Sequence, residues 1–564
     1  MRNFVRIIAT AGALAQAALG LSAFSASDAL AQGAGAPVPP PLNFQRALYF
    51  KDHPTELAAL VGKLSAPQDS VGPVADPPQT PGTVGGVWTS VTKPMPHSGA
   101  SAPHLMMDGT VLVHALCTGN WYRLTPDVTG SYANGSWTAL PVMPAGYNPL
   151  YFGVQVLVDG RLIMNGGEYN GNCTEVWTSL GAIYNPAKNS WKSVASPFPP
   201  AQYGIGDAQS VVLFNKNYML ADCCTANEAI LNPSTMLWTK TGTGKFDDND
   251  EEAWSLLPKG GLLTGDAYVG AFGCGKGTQL YTAATGAWTN GPNSPVQLSD
   301  CTHSYEVGPQ VLRPDGTAVM FSGDATGLSA TNLAGTAIYN TTSGTLIKGA
   351  NVPAVNGVAY TLADAPAALE PNGKILFAAA PGPAFSLPTH FFEYTELSAT
   401  SNSAARLSND PPNTASNPSY VYNLMVLPTG QILMTDGSNA LRLYNPVGAG
   451  LVAWAPVITT LQSTTIKRGT TYSIVGKQLN GLSEAGAYGD DDQEATDFPL
   501  VRIRNNATGH VYYCKTTNES SRDIAVNAVS TMDFDCPTGV ATGAATLVVV
   551  TNGIASTAKN VTIQ

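Results

Sequence analysis

The chain has 564 residues, of which 12% are charged, with 57 glycines, 41 prolines and a formal net charge of −11. That length holds a large packed core and a second domain. The acidic balance, with no basic run, argues against nucleic acid as a partner, while an acidic groove would attract cations or offer acceptor oxygens to a neutral polyol.

Residues 1–31 read as an export signal. Arg2 and Arg6 precede an apolar stretch from Ile7 to about Phe24, and Ala29-Leu30-Ala31 offers small residues for cleavage. A secreted or periplasmic protein, cleaved near Ala31, is the expectation. No later segment is apolar enough to span a bilayer. Residues 32–86 form a Pro/Gly-rich linker, in which Leu57, Leu60, Val61 and Leu64 predict a short helix.

From residue 87 to 455 one phrase recurs: an apolar run, a turn rich in Asp, Asn and Gly, and a second apolar run. EVGPQVLRPDGTAVMFSG (from Glu306) is its fullest form, and HLMMDGTVLV, GVQVLVDGRLIMNGG, AQSVVLFNKNYML, EAWSLLPKGGLLTGD, PAALEPNGKILF and NLMVLPTGQILMTDG repeat it. The turns at Asp108, Asp159, Asn215, Lys259, Asp315, Asn372 and Thr429 are 51, 56, 44, 56, 57 and 57 residues apart. Such hairpins at a period near fifty predict the blades of a seven-bladed, kelch-type β-propeller. Trp191, Trp238 and Trp288 close three of the repeats and are expected to pack between blades. Trp88 is placed on an outer strand that closes the ring.

In a propeller the first strand of each blade lines the axis. Counting back from the turns puts Ala100, Tyr151, Asp207, Asp250, Glu306, Ala363 and Tyr420 at the leading ends, with Glu252 and His303 nearby. Clustered carboxylates hold a proton, bind a cation or engage a ligand's donors. Alternatively, they accept backbone N–H groups around a wide, wet channel.

Eight cysteines in an exported chain imply disulfides. Cys514 with Cys536, and Cys117 with Cys173, are the expected pairs. Cys274 with Cys301 is a looser pairing, and Cys223-Cys224 is either a vicinal bridge or two thiols paired elsewhere. Residues 456–564 lose the blade phrase and alternate as strands of an immunoglobulin-like β-sandwich.

Seven such blades followed by a sandwich resemble the galactose oxidase and glyoxal oxidase group of copper radical oxidases, over roughly residues 87–564. In that family two tyrosines and two histidines hold copper, one tyrosine being crosslinked to a cysteine and stacked under a tryptophan. The resemblance places the crosslinked tyrosine on Tyr151, the stacking aromatic on Tyr169 and the axial tyrosine on Tyr420. It places the partner histidine on Val421 and the crosslinking cysteine on Ala100. The loop after Tyr488-Gly489 reads DDDQEATD, without histidine. Copper at such a site needs imidazole or thiolate, so no tyrosyl-radical copper centre is expected. In the family this loop reaches into the propeller axis. Here it would bring in Asp490, Asp491, Asp492, Glu494 and Asp497, oxygen ligands that suit Ca2+, or else it is a solvated acidic turn.

Three functions follow. The first is an exported carbohydrate-active protein, with Asp207, Asp250 and Glu306 as general acid and base and Tyr151, Tyr169 and Tyr420 against a sugar or polyol. The second is a non-catalytic glycan- or protein-binding or adhesion module of the cell surface; a monomer is expected in every case. The third is an oxidase whose copper site is rebuilt around His303 or His104. His53, His97 and His510 are read as surface or packing residues.

Overall fold

The computed structural model describes residues 85–198, 204–223, 225–267, 275–301, 304–398, 401–489 and 491–564. The export signal, the linker and its helix lie outside the described residues. All seven hairpins anticipated from the repeated phrase form: Ala100–Leu105 pairs Val111–Ala115, and the same pairing recurs through Gly153–Val156, Ser210–Val212, Ser255–Leu257, Gln310–Leu312, Ala367–Leu369 and Asn423–Val426 with the strands that follow them. The turns explain why. In each, a residue with positive φ reverses the chain: Gly109, Gly160, Lys216, Gly260, Gly316, Gly373 and Gly430. In five of them the preceding Asp or Asn accepts the backbone N–H two residues on, as Asp108 does from Thr110 at 3.0 Å and Asn372 from Lys374 at 2.8 Å.

Six of the hairpins grow outward by two more antiparallel strands into meanders, five of them four-stranded and the one built on Ala367–Leu369 widened to six by Tyr360–Thr361 and Gly486–Ala487. The last hairpin gains Arg442–Asn445 and then Val87–Ser90 from the start of the described chain, in register from Val87 with Asn445 to Ser90 with Arg442. This is a β-propeller built of four-stranded sheets and closed by its N-terminal strand, as expected of Trp88. Between sheets the apolar faces meet in extended cores, and the repeat-closing tryptophans sit in them. Trp191 lies 5.6 Å from Trp121 of the preceding sheet, and Trp288 lies 5.9 Å from Trp254.

After residue 456 two sheets face each other across a separate core. One is ordered Val457–Leu461, Thr471–Lys477, Val529–Asp535, Thr516–Thr517; the other contains Lys559–Ile563, Gly543–Thr551, Leu500–Asn505 and Val511–Cys514. This sandwich packs on the face of the ring that carries the hairpin turns. Lys515 Nζ donates to Asp159 O at 2.7 Å, and Lys216 Nζ donates to Glu519 O.

Two expected bridges are corrected. Cys514 and Cys536 are neighbouring buried thiols of the sandwich core, and burial, then Cys536, holds the Cys514 thiol well above its ordinary range, which keeps it protonated. Cys223 is likewise a thiol rather than half of a vicinal bridge, with Sγ 3.3 Å from Asp250 Oδ1. The Cys117–Cys173 disulfide is present, and Cys301 is disulfide-bonded. Cys224 and Cys274 lie outside the described residues. Among the described residues no helix is long and apolar enough to cross a membrane.

Candidate functional site

Ahead of six inner strands the backbone passes through a left-handed residue: Gly99, Tyr151, Gly206, Glu251, Tyr305 and Asp364, with φ of 84°, 53°, 65°, 57°, 55° and 49°. Glycine takes this conformation freely, whereas a residue with a Cβ gives up roughly 1–2 kcal/mol. Four of the six keep a large polar side chain there despite that strain, which marks a ring of functional candidates. Counting from the turns had given Asp250, Glu306 and Ala363; the kink falls one residue away, on Glu251, Tyr305 and Asp364. Nothing in their residue types announces it, so these three were missed. Ahead of the seventh inner strand a 3-10 turn, Ser419–Val421, presents Tyr420.

The three tyrosines come together. Tyr151 meets Tyr420 with ring centroids 6.2 Å apart and Tyr169 at 6.1 Å, both edge-to-face, and Phe385 stands 5.2 Å from Tyr420. Leu116, Leu150, Ala363, Tyr488 and the Cys117–Cys173 bridge pack around them. A small cavity beside this cluster is lined by Ala100, Ser101, Leu116, Leu150, Tyr151, Val421 and Gly437. Its donors are one phenol and one hydroxyl, with no imidazole or thiolate. His104 is no substitute: it is buried in the first sheet beside Trp121, and burial, then His114, lowers its pKa to about 3. His303 lies outside the described residues.

From the turn face a hairpin arm of the sandwich threads the ring. Glu484 accepts the N–H of Leu256 at 2.7 Å, and Ala485 O accepts that of Leu369. Gly486–Ala487 then pairs with Ala367 and Ala368 as an added strand. Beyond it Tyr488 donates to the carbonyl of Tyr420, Gly489 packs near the Asp364 carboxylate, and Asp492 N donates to Phe152 O at 3.1 Å. These partners run in order from the turn end of the inner strands to their leading ends. The arm therefore occupies the axis, and among the described residues the wide, wet channel is replaced by these contacts. Its acids are interior: Asp491, Asp492 and Glu494 are each at most 1% exposed, so the solvated-turn alternative is replaced by a buried carboxylate group. Burial, then Asp492, holds the Glu494 carboxyl well above the usual range. Asp490 lies outside the described residues. Asp497 instead pairs with buried Arg522 at 2.8 Å and ties down the root of the arm.

Of the three acids anticipated at the mouth, Asp207 and Glu306 are buried at the leading ends of their strands, and Asp250 is half-buried beside Cys223. The axis thus brings together phenols, apolar walls and several interior carboxylates, a set suited to a ligand bearing both hydroxyls and C–H faces.

No family model matches this chain. No curated protein matches it either. Among solved structures it is similar to a fungal alcohol oxidase of the AA5 family in complex with copper, at 15% identity over 86% of this chain and 99% of that one, with a TM-score of 0.46. It is also similar to a catalytically inactive virginiamycin B lyase from Staphylococcus aureus with quinupristin, at 11% identity over 64% of this chain and 98% of that one, TM-score 0.41. A streptogramin B lyase matches at 13% identity over the same shares, TM-score 0.41.

Proposed function

We propose that this chain is an exported seven-bladed propeller with an immunoglobulin-like C-terminal domain, and that it binds a carbohydrate or polyol at the leading-end face of its axis. The observation that carries the reading is the convergence of Tyr151, Tyr169 and Tyr420 beside an arm whose buried tip carries Asp491, Asp492 and Glu494. Tyrosine rings cover the C–H faces of a sugar, and carboxylates accept its hydroxyl hydrogens. The tip acids, with Asp490, also suit Ca2+, an oxygen-seeking ion that sugar hydroxyls can share. In the catalytic form of this reading Asp207, Asp250 and Glu306 supply the general acid and base.

A copper-radical centre does not fit. The cavity that contains Ala100, Tyr151 and Val421, the positions given by the family resemblance, offers a single phenol.

A glycan array followed by calorimetry on the best ligand tests the proposal. Tyr151→Ala is expected to weaken binding at least about tenfold, roughly 1.4 kcal/mol, with Tyr420→Ala similar. Undiminished binding in both variants would remove the site. Product analysis of the bound glycan then separates a catalyst from a binding module.

A further inference from the structure

Outside the axis, one sector of the ring gathers three buried carboxylates around a single ammonium. Asp247, Glu252 and Asp266 each offer a carboxylate oxygen, and these oxygens lie within 4.8 Å of one another with all three residues buried. Glu252 precedes the inner strand Ser255–Leu257 and Asp266 follows Gly261–Gly265, which places both on the same face of the ring as the tyrosines. Lys245 has a fully buried side chain; its Nζ donates to Glu252 Oε1 at 2.8 Å and to Asp247. The second oxygen of Glu252 accepts from Thr264 at 3.0 Å.

Asp266 is different. It is 5% exposed, its carboxylate faces the other two, and its Oδ1 has no hydrogen-bond partner. The room for its other oxygen exists because position 277 is glycine, where a Cβ would fall 1.9 Å from Asp266 Oδ2. A buried carboxylate oxygen without a donor is costly, and one ammonium does not neutralise three carboxylates. Burial and Asp247 accordingly raise the Asp266 carboxyl to about 6.

We propose that Asp247, Glu252 and Asp266 form a site for a hard divalent cation, Ca2+ by its all-oxygen donor set, with Lys245 as a resident ammonium that the ion displaces. The donors match: three carboxylates, each able to bind through one or two oxygens, approach the coordination Ca2+ takes, with Thr264 adjacent.

The test is a calorimetric Ca2+ titration of the full chain, alongside Tb3+ emission excited through tryptophan. Trp288, whose ring centroid is 5.8 Å from Lys245 Nζ, sits where it would sensitise an ion in the cage. Saturable Tb3+ emission, competed by Ca2+, is expected in the unaltered protein. Asp266→Asn should lower the affinity at least about tenfold, and Lys245→Met, which removes the competing ammonium, should raise it by about as much. Asp315→Asn, a half-exposed acid of a hairpin turn, is expected to leave the tryptophan-excited signal intact. No saturable emission, unchanged affinity in Asp266→Asn, or no gain in Lys245→Met would each overturn the proposal. Should Lys245→Met fail to fold, Asp266→Asn, which preserves side-chain shape, decides alone.

Discussion

Glu228 shows how single buried acids set the pH response of this fold. Its carboxylate is fully buried and accepts Trp288 Nε1 at 2.8 Å through both oxygens; burial outweighs that donor and raises its pKa to about 7. A carboxyl whose folded pKa exceeds its unfolded value near 4.3 stabilises fully below that value, and the contribution is lost as pH rises through the folded pKa. Buried histidines act in the opposite sense. His104 and His114, held down to about 3 and about 4 chiefly by burial, weaken the fold as pH falls below about 6.5. Across pH 6.5–8 the unfolded-state titration of the two histidines offsets much of the loss from Glu228, while Glu370 and Glu484, raised chiefly by burial to about 8, add to it, so the share of Glu228 is read as the difference between variants. Urea unfolding should show stability falling by about 1 kcal/mol across that interval from Glu228 alone. Glu228→Gln, which still accepts from Trp288, should remove that share, and an unchanged slope would show that Glu228 is ionised throughout.

The hairpin arm is the element on which the axis site depends, and it is held by backbone as much as by side chains. A Cβ at Gly486 would approach Glu494 O at 2.8 Å and its carbonyl carbon at 3.2 Å, both main-chain atoms that cannot turn aside. Gly486→Ala should therefore spread the two limbs of the arm, destabilise the protein by about 1–3 kcal/mol and weaken ligand binding at the tyrosines. Urea midpoints and the glycan titration check this together. If stability drops while affinity holds, the arm supports the fold without shaping the site. The seven hairpins were legible because their turn chemistry is local: Asp108-Gly109 announces itself in two letters. The arm was legible only through a family resemblance, since no periodicity tells a buried DDQE from a solvated one. The left-handed ring positions and the Lys245 cage were not legible. Glu251, Tyr305 and Asp364 adopt a backbone state that their residue types disfavour. Lys245, Asp247, Glu252 and Asp266 converge only when a meander folds, although KFDDNDEE was an unusual density of charge for a chain with 12% charged residues.

At the scale of the whole molecule, the seam between Val87–Ser90 and Arg442–Asn445 turns a row of sheets into a ring. Val87 and Asn445 are 358 residues apart in sequence, so pairing them carries a large loop-closure cost that local packing at the seam must offset. Trp88 supplies much of that packing. It is 1% exposed, 5.2 Å from Phe391 and 5.0 Å from Tyr444, whose hydroxyl in turn accepts the N–H of Gly86. Trp88→Ala should cost about 3–5 kcal/mol, the range for emptying a large aromatic site in a core. Because the seam also covers a strand edge, the loss should extend beyond the cavity: with Arg442–Asn445 uncovered, that edge becomes available to another chain. The variant should therefore unfold at lower urea and gain mass with concentration in light scattering, whereas core truncations away from the seam, such as Val319→Ala, should lower the midpoint without self-association. Should Trp88→Ala remain monomeric at concentrations where the unaltered protein is monomeric, the closing strand holds by its backbone ladder alone, and the ring is sealed by hydrogen bonds rather than by the tryptophan.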